Sequence, residues 1–275
     1  MIQFPNCKIN LGLSILEKRK DGFHALETVF YPVALNDILE TTTTINGEQN
    51  VLVQFESSGN PIPGDVSSNL CIKAYHLLKA DFPQLTPVTI HLHKKIPIGA
   101  GLGGGSSDGA SALSMLNDLF QLQLSTTQLI QYAAQLGSDC PFFILNEACH
   151  ATGRGEVMQP MPINLSNFTM ALIHPNIPIS TGWAFQQITP AIKEKTIASI
   201  IQQPIATWKN ELINDFEKPV FEAHPSLALI KHNLYEQGAI YASLSGSGSS
   251  LFGLFPKGTT LQSSSAFDKL KMDLI

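Results

Sequence analysis

The 275-residue chain reads as an α+β protein built from two domains. Three observations predict that class. Strand-like alternation fills its first third, and helical spacing then gathers around one glycine-rich loop instead of alternating with strands as a doubly wound sheet requires. Past Thr152-Gly153-Arg154-Gly155 a new succession of strand, helices and strands begins. The expected domains are therefore 1–154 and 155–275.

From Cys7 to Ile15, the apolar Cys7, Ile9, Leu11, Leu13 and Ile15 alternate with Lys8, Asn10, Gly12 and Ser14, the period of a half-buried strand. Lys8 and Asn10 are expected on its solvated face. A charged turn at 18–22 leads to an extended stretch from Thr28 to Leu35, a β-prone patch at Thr41–Thr44, and alternation at Val51, Val53 and Phe55. Leu70, Ala74, Leu77 and Leu78 mark a helix behind Ser68-Asn69, and Val88, Ile90 and Leu92 mark the strand that feeds the glycine loop. Behind the loop Leu113, Leu116 and Phe120 fall at helical spacing, with Ser106, Ser107 and Asp108 as capping residues. A further helix opens with the capping box Ser125/Gln128, carries Leu129, Tyr132, Ala133 and Leu136 on one face, and ends at Gly137. Asp139-Cys140-Pro141 then signals a new helix start. In the second domain a strand spans Thr169–His174, helical patterns lie near Trp183–Ile188, Leu212–Phe216 and Leu227–Leu234, and strands at Ala239–Leu244 and Leu251–Phe255 flank a Gly-Ser loop.

Composition narrows the function. The chain is 44% hydrophobic and carries a formal net charge of −5, a balance that disfavours nucleic acid or an anionic membrane as partner. Its densest basic stretch, Lys18-Arg19-Lys20, is flanked by Glu17 and Asp21 and reads as a solvated turn. Cys7, Cys71, Cys140 and Cys149 lack metal-ligand spacing and read as reduced, packed thiols. No signal peptide and no bilayer-length apolar run is legible, so a cytoplasmic protein is expected.

The most informative segment is 97–109, with Gly99, Gly101, Gly103, Gly104 and Gly105 inside seven positions. Glycines let the backbone close on a ligand, and a helix N-terminus behind them aims N–H groups and partial positive charge at one spot, which suits a polyphosphate. The Walker pattern fails because Ser106, not lysine, follows Gly105. Gly99, Gly101 and Gly104 satisfy Gly-x-Gly-x-x-Gly, but the acidic residue a dinucleotide site needs about 20 positions later is missing. A ligand-free glycine hinge is the bland alternative. Asp139, placed in a short break after the loop and its helices, is either a general base or a helix cap.

Pro97 to Ser107 resembles the Pro-x-x-x-Gly-Leu-Gly-Ser/Gly-Gly-Ser-Ser motif of the GHMP kinases, the superfamily of galactokinase, homoserine kinase and mevalonate kinase. The resemblance implies a two-domain GHMP kinase fold, its N-terminal domain like the second domain of ribosomal protein S5 and its C-terminal domain ferredoxin-like. It implies that Pro97, Ile98, Gly99, Ala100, Gly101, Leu102, Gly103, Gly104, Gly105, Ser106 and Ser107 wrap the phosphates of ATP. Asn69 and Lys94 match adenosine-contacting positions, with Lys95 as the alternative lysine. Gly-Ser-Asp-Cys-Pro-Phe-Phe at 137–143 resembles the segment bearing the catalytic aspartate, which favours Asp139 as base, and the opening motif places Lys8 as its companion. Ser245-Gly246-Ser247-Gly248-Ser249 resembles the third motif, a loop lying near the phosphate-loop helix; as a plain hairpin connection it would need no further role.

The stretch from Pro5 to Leu16, with Lys20-Asp21-Gly22-Phe23-His24 and Glu27-Thr28, is similar to the branch of that superfamily acting on a CDP-linked methylerythritol in isoprenoid-precursor synthesis. For that branch Phe23 stacks on cytosine, His24 reads its polar edge, Asn10 orients the substrate hydroxyl, Thr181 makes a polar contact, and Phe185 closes the sandwich, with Trp183 as the competing ring. Magnesium is expected to accompany ATP, its protein ligands undefined beyond Ser107 by analogy. The rival expectations are a homoserine- or mevalonate-type kinase, a catalytically inactive nucleotide-binding protein of this fold, and a dinucleotide oxidoreductase. Oligomeric state is left open.

Overall fold

The computed structural model describes residues 1–44, 51–261 and 271–275. In chain order the first elements are β1 (Ile2–Gln3), β2 (Asn6–Lys18), β3 (His24–Asn36), β4 (Ile38–Thr43), β5 (Val53–Gly59), α1 (Leu70–Asp81) and β6 (Val88–Lys94). After the glycine loop come α2 (Gly104–Leu119), α3 (Thr126–Leu136), α4 (Cys140–Leu145), β7 (Cys149–Thr152), β8 (Val157–Pro160) and β9 (Phe168–His174). The rest of the chain forms α5 (Thr181–Gln186), α6 (Ile197–Ile201), α7 (Ile205–Glu211), α8 (Glu217–Ala223), α9 (Pro225–Glu236), β10 (Tyr241–Leu244), β11 (Leu251–Pro256) and β12 (Lys271–Leu274).

These elements form two compact units, each assembled from separate stretches of chain. The first comprises Met1–Cys7, Ala34–Ile98 and Gly103–Glu147; the second comprises Lys8–Val33, Gly99–Leu102 and Ala148–Ile275.

The first unit holds a sheet in the order β1-β4-β6-β5, antiparallel between β4 and β6 and parallel between β5 and β6. Val88, Ile90 and Leu92 alternate along β6 and bury the same face against Tyr75 and Leu78 of α1 and Leu113 and Leu116 of α2. Each fully buried side chain of this size stabilises the unit by about 1.5–3 kcal/mol. Asn69 caps α1 by accepting from the Cys71 amide, and Ser125 with Gln128 forms the expected capping box of α3. The start of α2 departs from the sequence reading. The helix begins at Gly104, its N-cap is Gly103 at φ 69°, and no side chain caps it. Glycine reaches that left-handed conformation without steric cost, so Ser106, Ser107 and Asp108 lie inside the helix.

The second unit holds one sheet in the order β2-β3-β7-β8 and an antiparallel sheet in the order β10-β11-β9-β12. The latter order, with β9 and β11 central, is that of a ferredoxin-like sheet. Ala171, Ile173, Ala242, Leu244 and Phe255 from its strands pack against Val220 of α8 and Leu227, Ile230 and Leu234 of α9.

Two expectations are corrected here. The alternating face of β2 is not solvated: Lys8, Asn10 and Ser14 are all buried. Leu212–Phe216 is not a helix but a link between α7 and α8, with a β-bridge at Asn214 followed by a turn at Asp215 and Phe216. Its backbone pairs with β2, the Leu13 amide donating to Ile213 O at 3.0 Å and the Asp215 amide to Leu13 O at 2.8 Å. The apolar spacing of a short segment fits an extended strip as well as one helical turn, and a distant strand decided between them.

Candidate active site

The glycine loop leaves β6 and enters α2, with Pro97 buried and Ile98, Gly99 and Gly105 exposed. The Gly104, Gly105 and Ser106 amides open α2, where a helix offers no acceptors of its own, and the Ser107 amide donates to Gly103 O at 2.9 Å. Three amides and the positive end of a 16-residue helix suit an anionic ligand. The middle of the loop is tied to distant segments of the second unit. Leu102 O accepts the Lys8 amide at 3.0 Å, Ala100 O accepts the Ser250 amide at 3.1 Å, and Gly101 O accepts the Ser245 hydroxyl at 2.8 Å. Gly101 stands at φ 78°, and a Cβ there would lie 2.0 Å from Ser245 O. The first and third motifs therefore both close on this bend.

In the first unit Asp139 occupies the N-cap of α4, yet its side chain makes no capping hydrogen bond. The cap reading thus loses its physical basis. The next residue, Cys140, is buried and hydrogen-bonded with Ser106; burial pushes its thiol up to about 11, with the Asp139 charge adding to the effect. Asp139-Cys140 therefore abuts the first turn of α2.

Asn69 is half-buried, its Oδ1 engaged as the α1 cap. Lys94 and Lys95 separate sharply. Lys95 is exposed, whereas Lys94 is 2% exposed and its ammonium bridges the carboxylates of Asp37 and Asp108, the latter at 2.6 Å. Asp37 Oδ1 also accepts the Lys95 and Ile96 amides at 2.5 and 2.8 Å. Burial favours neutral lysine, but the two carboxylates outweigh it and raise the Lys94 pKa. Burial, with Asp37 nearby, pushes Asp108 up to about 7 against the pull of Lys94.

The second unit gathers the residues expected to meet the acceptor. Lys8 Nζ donates to Asn10 Oδ1 at 2.7 Å and lies 4.8 Å from the centre of the Phe30 ring; Asn10 Nδ2 donates to Thr28 Oγ1, which donates to Gly12 O. His24 and Phe185 stack with centroids 4.9 Å apart and planes 18° from parallel. Phe185 also meets Phe216 edge-on, while Trp183 meets His224 edge-on at 6.4 Å, so Phe185 is the ring beside the first motif. Phe23 is exposed, and the Arg154 guanidinium lies 4.8 Å from its centroid. Thr181 Oγ1 is 3.0 Å from Ser247 Oγ in the third motif. Lys8 belongs to the second unit and Asp139 to the first.

Three supporting residues escaped the sequence reading. Asn214, fully buried, donates to Leu244 O and Gly246 O and accepts the Phe216 amide, which holds the base of the third-motif loop. Glu217 Oε1 accepts the Ser243 hydroxyl and the Leu244 amide. Asp37 organises the entry to the glycine loop. None carries a local signal, because each partner lies more than 20 residues away or in a segment read as helix.

Among the described residues no group of three or more His, Cys, Asp or Glu side chains could hold a metal ion, and no helix is long and apolar enough to cross a membrane. The four cysteines are buried and none forms a disulfide with another.

Comparison with known proteins agrees with this geometry. Residues 69–147 match the model of the GHMP kinases N terminal domain, and residues 197–264 that of the GHMP kinases C terminal domain. A 4-diphosphocytidyl-2-C-methyl-D-erythritol kinase of Cytophaga hutchinsonii is 51% identical over 256 residues, covering 93% of this chain and 92% of that protein. One of Bacteroides thetaiotaomicron is 52% identical over 260 residues, covering 94% of each. A crystal structure of a 4-(cytidine 5'-diphospho)-2C-methyl-D-erythritol kinase superposes with a TM-score of 0.79 at 30% identity, covering 92% of this chain and 90% of that one.

Proposed function

The chain belongs to the GHMP kinases, and on that premise we propose that it transfers the γ-phosphate of ATP to the 2-hydroxyl of 4-diphosphocytidyl-2-C-methyl-D-erythritol. The observation that carries the substrate assignment is the His24–Phe185 stack, which builds an aromatic platform from two segments that share no local structure. A cytosine ring has a face to stack and a polar edge to read, and Phe23, His24, Phe185 and Thr181 offer both.

In this reading the loop from Pro97 to Ser107 cradles the triphosphate through backbone amides and the end of α2. Asn69, through its Nδ2, and Lys95 in preference to Lys94 face the adenosine. Asp139 takes the proton from the 2-hydroxyl as its oxygen bonds to the γ-phosphorus and the bond to the ADP oxygen breaks. Lys8 stabilises the developing alkoxide, while Asn10 orients the hydroxyl. Positioning and charge stabilisation carry most of the rate in such transfers. Magnesium would enter with ATP and supply charge neutralisation on its phosphates, and of this chain's residues the Ser107 hydroxyl would help to hold it. Four buried thiols fit a reducing, cytoplasmic setting.

The test is ATP consumption with and without the CDP-linked alcohol, alongside homoserine, mevalonate and the free methylerythritol. Turnover that needs the cytidyl group supports the assignment. Equal turnover of a free alcohol would assign a homoserine- or mevalonate-type kinase instead, and ATP binding without turnover on any of them an inactive binding protein.

A further inference from the structure

The glycine loop has two ends, and one buried charge cluster touches both. Lys94 closes β6, the strand entering the loop; Asp108 is the fifth residue of α2, the helix leaving it. Lys94 Nζ donates to Asp108 Oδ2 at 2.6 Å and to Asp37 Oδ2, and all three side chains are at most 4% exposed. Asp37 Oδ1 holds the next two amides of the entering strand, those of Lys95 and Ile96. Asp108 Oδ1 has no hydrogen-bond partner, and Asp108 Oδ2 takes its hydrogen bond from Lys94. The approach is close: a Cβ on Gly104 would lie 3.1 Å from Lys94 Nζ and 2.8 Å from Ile96 Cγ2.

We propose that Asp37, Lys94 and Asp108 act as a buried ionic staple that fixes the entry and exit of the glycine loop in the geometry that grips ATP, making Lys94 a positioning residue. The proposal rests on the reading of the loop as an ATP site. Its physical basis is the cost of burying charge. A buried ion pair adds little net stability over an apolar pair, but removing one partner strands the other charge away from water. With Lys94 gone, Asp37 and Asp108 lose the cation they share, and Asp108 must take up a proton or strand and helix must part. Buried clusters of this kind are retained where one arrangement must be specified, and here that arrangement is the width of the loop. Apolar packing and the loop, whose glycines supply little stiffness, also join the first turn of α2 to the end of β6.

The experiment compares the intact protein with Lys94→Met and with the charge-free pair Lys94→Met/Asp108→Leu. Three quantities are read: thermal midpoint, hydrogen exchange of a peptide spanning 95–107 without nucleotide, and binding of a non-hydrolysable ATP analogue beside KM for the CDP-linked alcohol. The pair variant leaves Asp37, still held by the Lys95 and Ile96 amides, as the one buried charge of the cluster, so its midpoint recovers part of what Lys94→Met loses and it carries the test should Lys94→Met fail to fold. In both variants loop exchange accelerates about tenfold and analogue affinity falls about tenfold, equal to about 1.4 kcal/mol, while KM for the alcohol stays within about twofold. Unchanged exchange with weakened analogue binding would overturn the proposal and make Lys94 a direct nucleotide contact. Unchanged exchange with unchanged affinity would overturn it outright. If the intact protein binds no analogue yet exchange still accelerates in the variants, the ATP reading fails and the staple stands as a device of the fold.

Discussion

The Ser245 hydroxyl donates to the carbonyl of Gly101 at 2.8 Å, joining residues 144 apart in sequence, and Ser245 O occupies the space a Gly101 side chain would need. A serine of the third motif thus sets the identity of a glycine in the second.

Gly101→Ala combines a Cβ 2.0 Å from a backbone oxygen with a left-handed φ of 78°, so strain and displacement add. We expect a thermal midpoint lower by several degrees and loss of most ATP-dependent turnover. Gly105→Ala is the control. A Cβ there meets nothing within 4 Å, and alanine favours the helix by about 0.8–1 kcal/mol. Its melting temperature should hold or rise while KM for ATP increases, because on the proposed reading the added methyl would meet the phosphates. Melting curves and ATP titrations of the two variants check the contrast.

Asp139→Asn removes the proposed base, whose side chain makes no helix-capping hydrogen bond. Turnover should fall by about 100- to 10,000-fold, with affinity for an ATP analogue within about threefold and little change in melting temperature. A drop in melting temperature with turnover retained would return Asp139 to a structural role.

Phe185→Leu keeps an apolar side chain against Phe216 but removes the flat face that meets His24. KM for the CDP-linked alcohol should rise by about tenfold, the worth of one aromatic stack, with kcat changed far less. Steady-state kinetics in the alcohol decides; a selective loss of kcat would speak against stacking.

Raising the Asp108 pKa to about 7 has a definite sign for stability. The folded state holds this proton more tightly than the unfolded chain, whose carboxyl titrates near 3.8. The contribution is therefore complete below about pH 4 and lost as pH climbs through about 7. Lys94, raised above 10.5, stays charged across that window and adds no slope. Urea midpoints taken from pH 4 to pH 8 should fall more steeply for the intact protein than for Asp108→Asn. Parallel curves would contradict the shift.

Local signals in the sequence went far with the elements and less far with their surroundings. The capping box at Ser125, the Asn69 cap and the alternation along β6 depend on neighbours a few residues away, and they stand where the pattern put them. The burial of Lys8 and Asn10, the non-helical path of 212–216 and the split between Lys94 and Lys95 depend on partners tens to hundreds of residues distant. Periodicity reports a face, not what covers it. Of the expected acceptor residues, the pairing of His24 with Phe185 was the least visible locally, since both rings pass for ordinary core or hairpin aromatics until the family pattern is considered.

The bend at 100–102 takes hydrogen bonds from Lys8 near the start of the chain and from Ser245 and Ser250 near its end. A ribosome emits these partners in order, so a nascent polypeptide halted before Ser250 has the bend but not its clasps. The bend is thereby left unclasped until Ser250 has been made, and products truncated before it are born with the bend open.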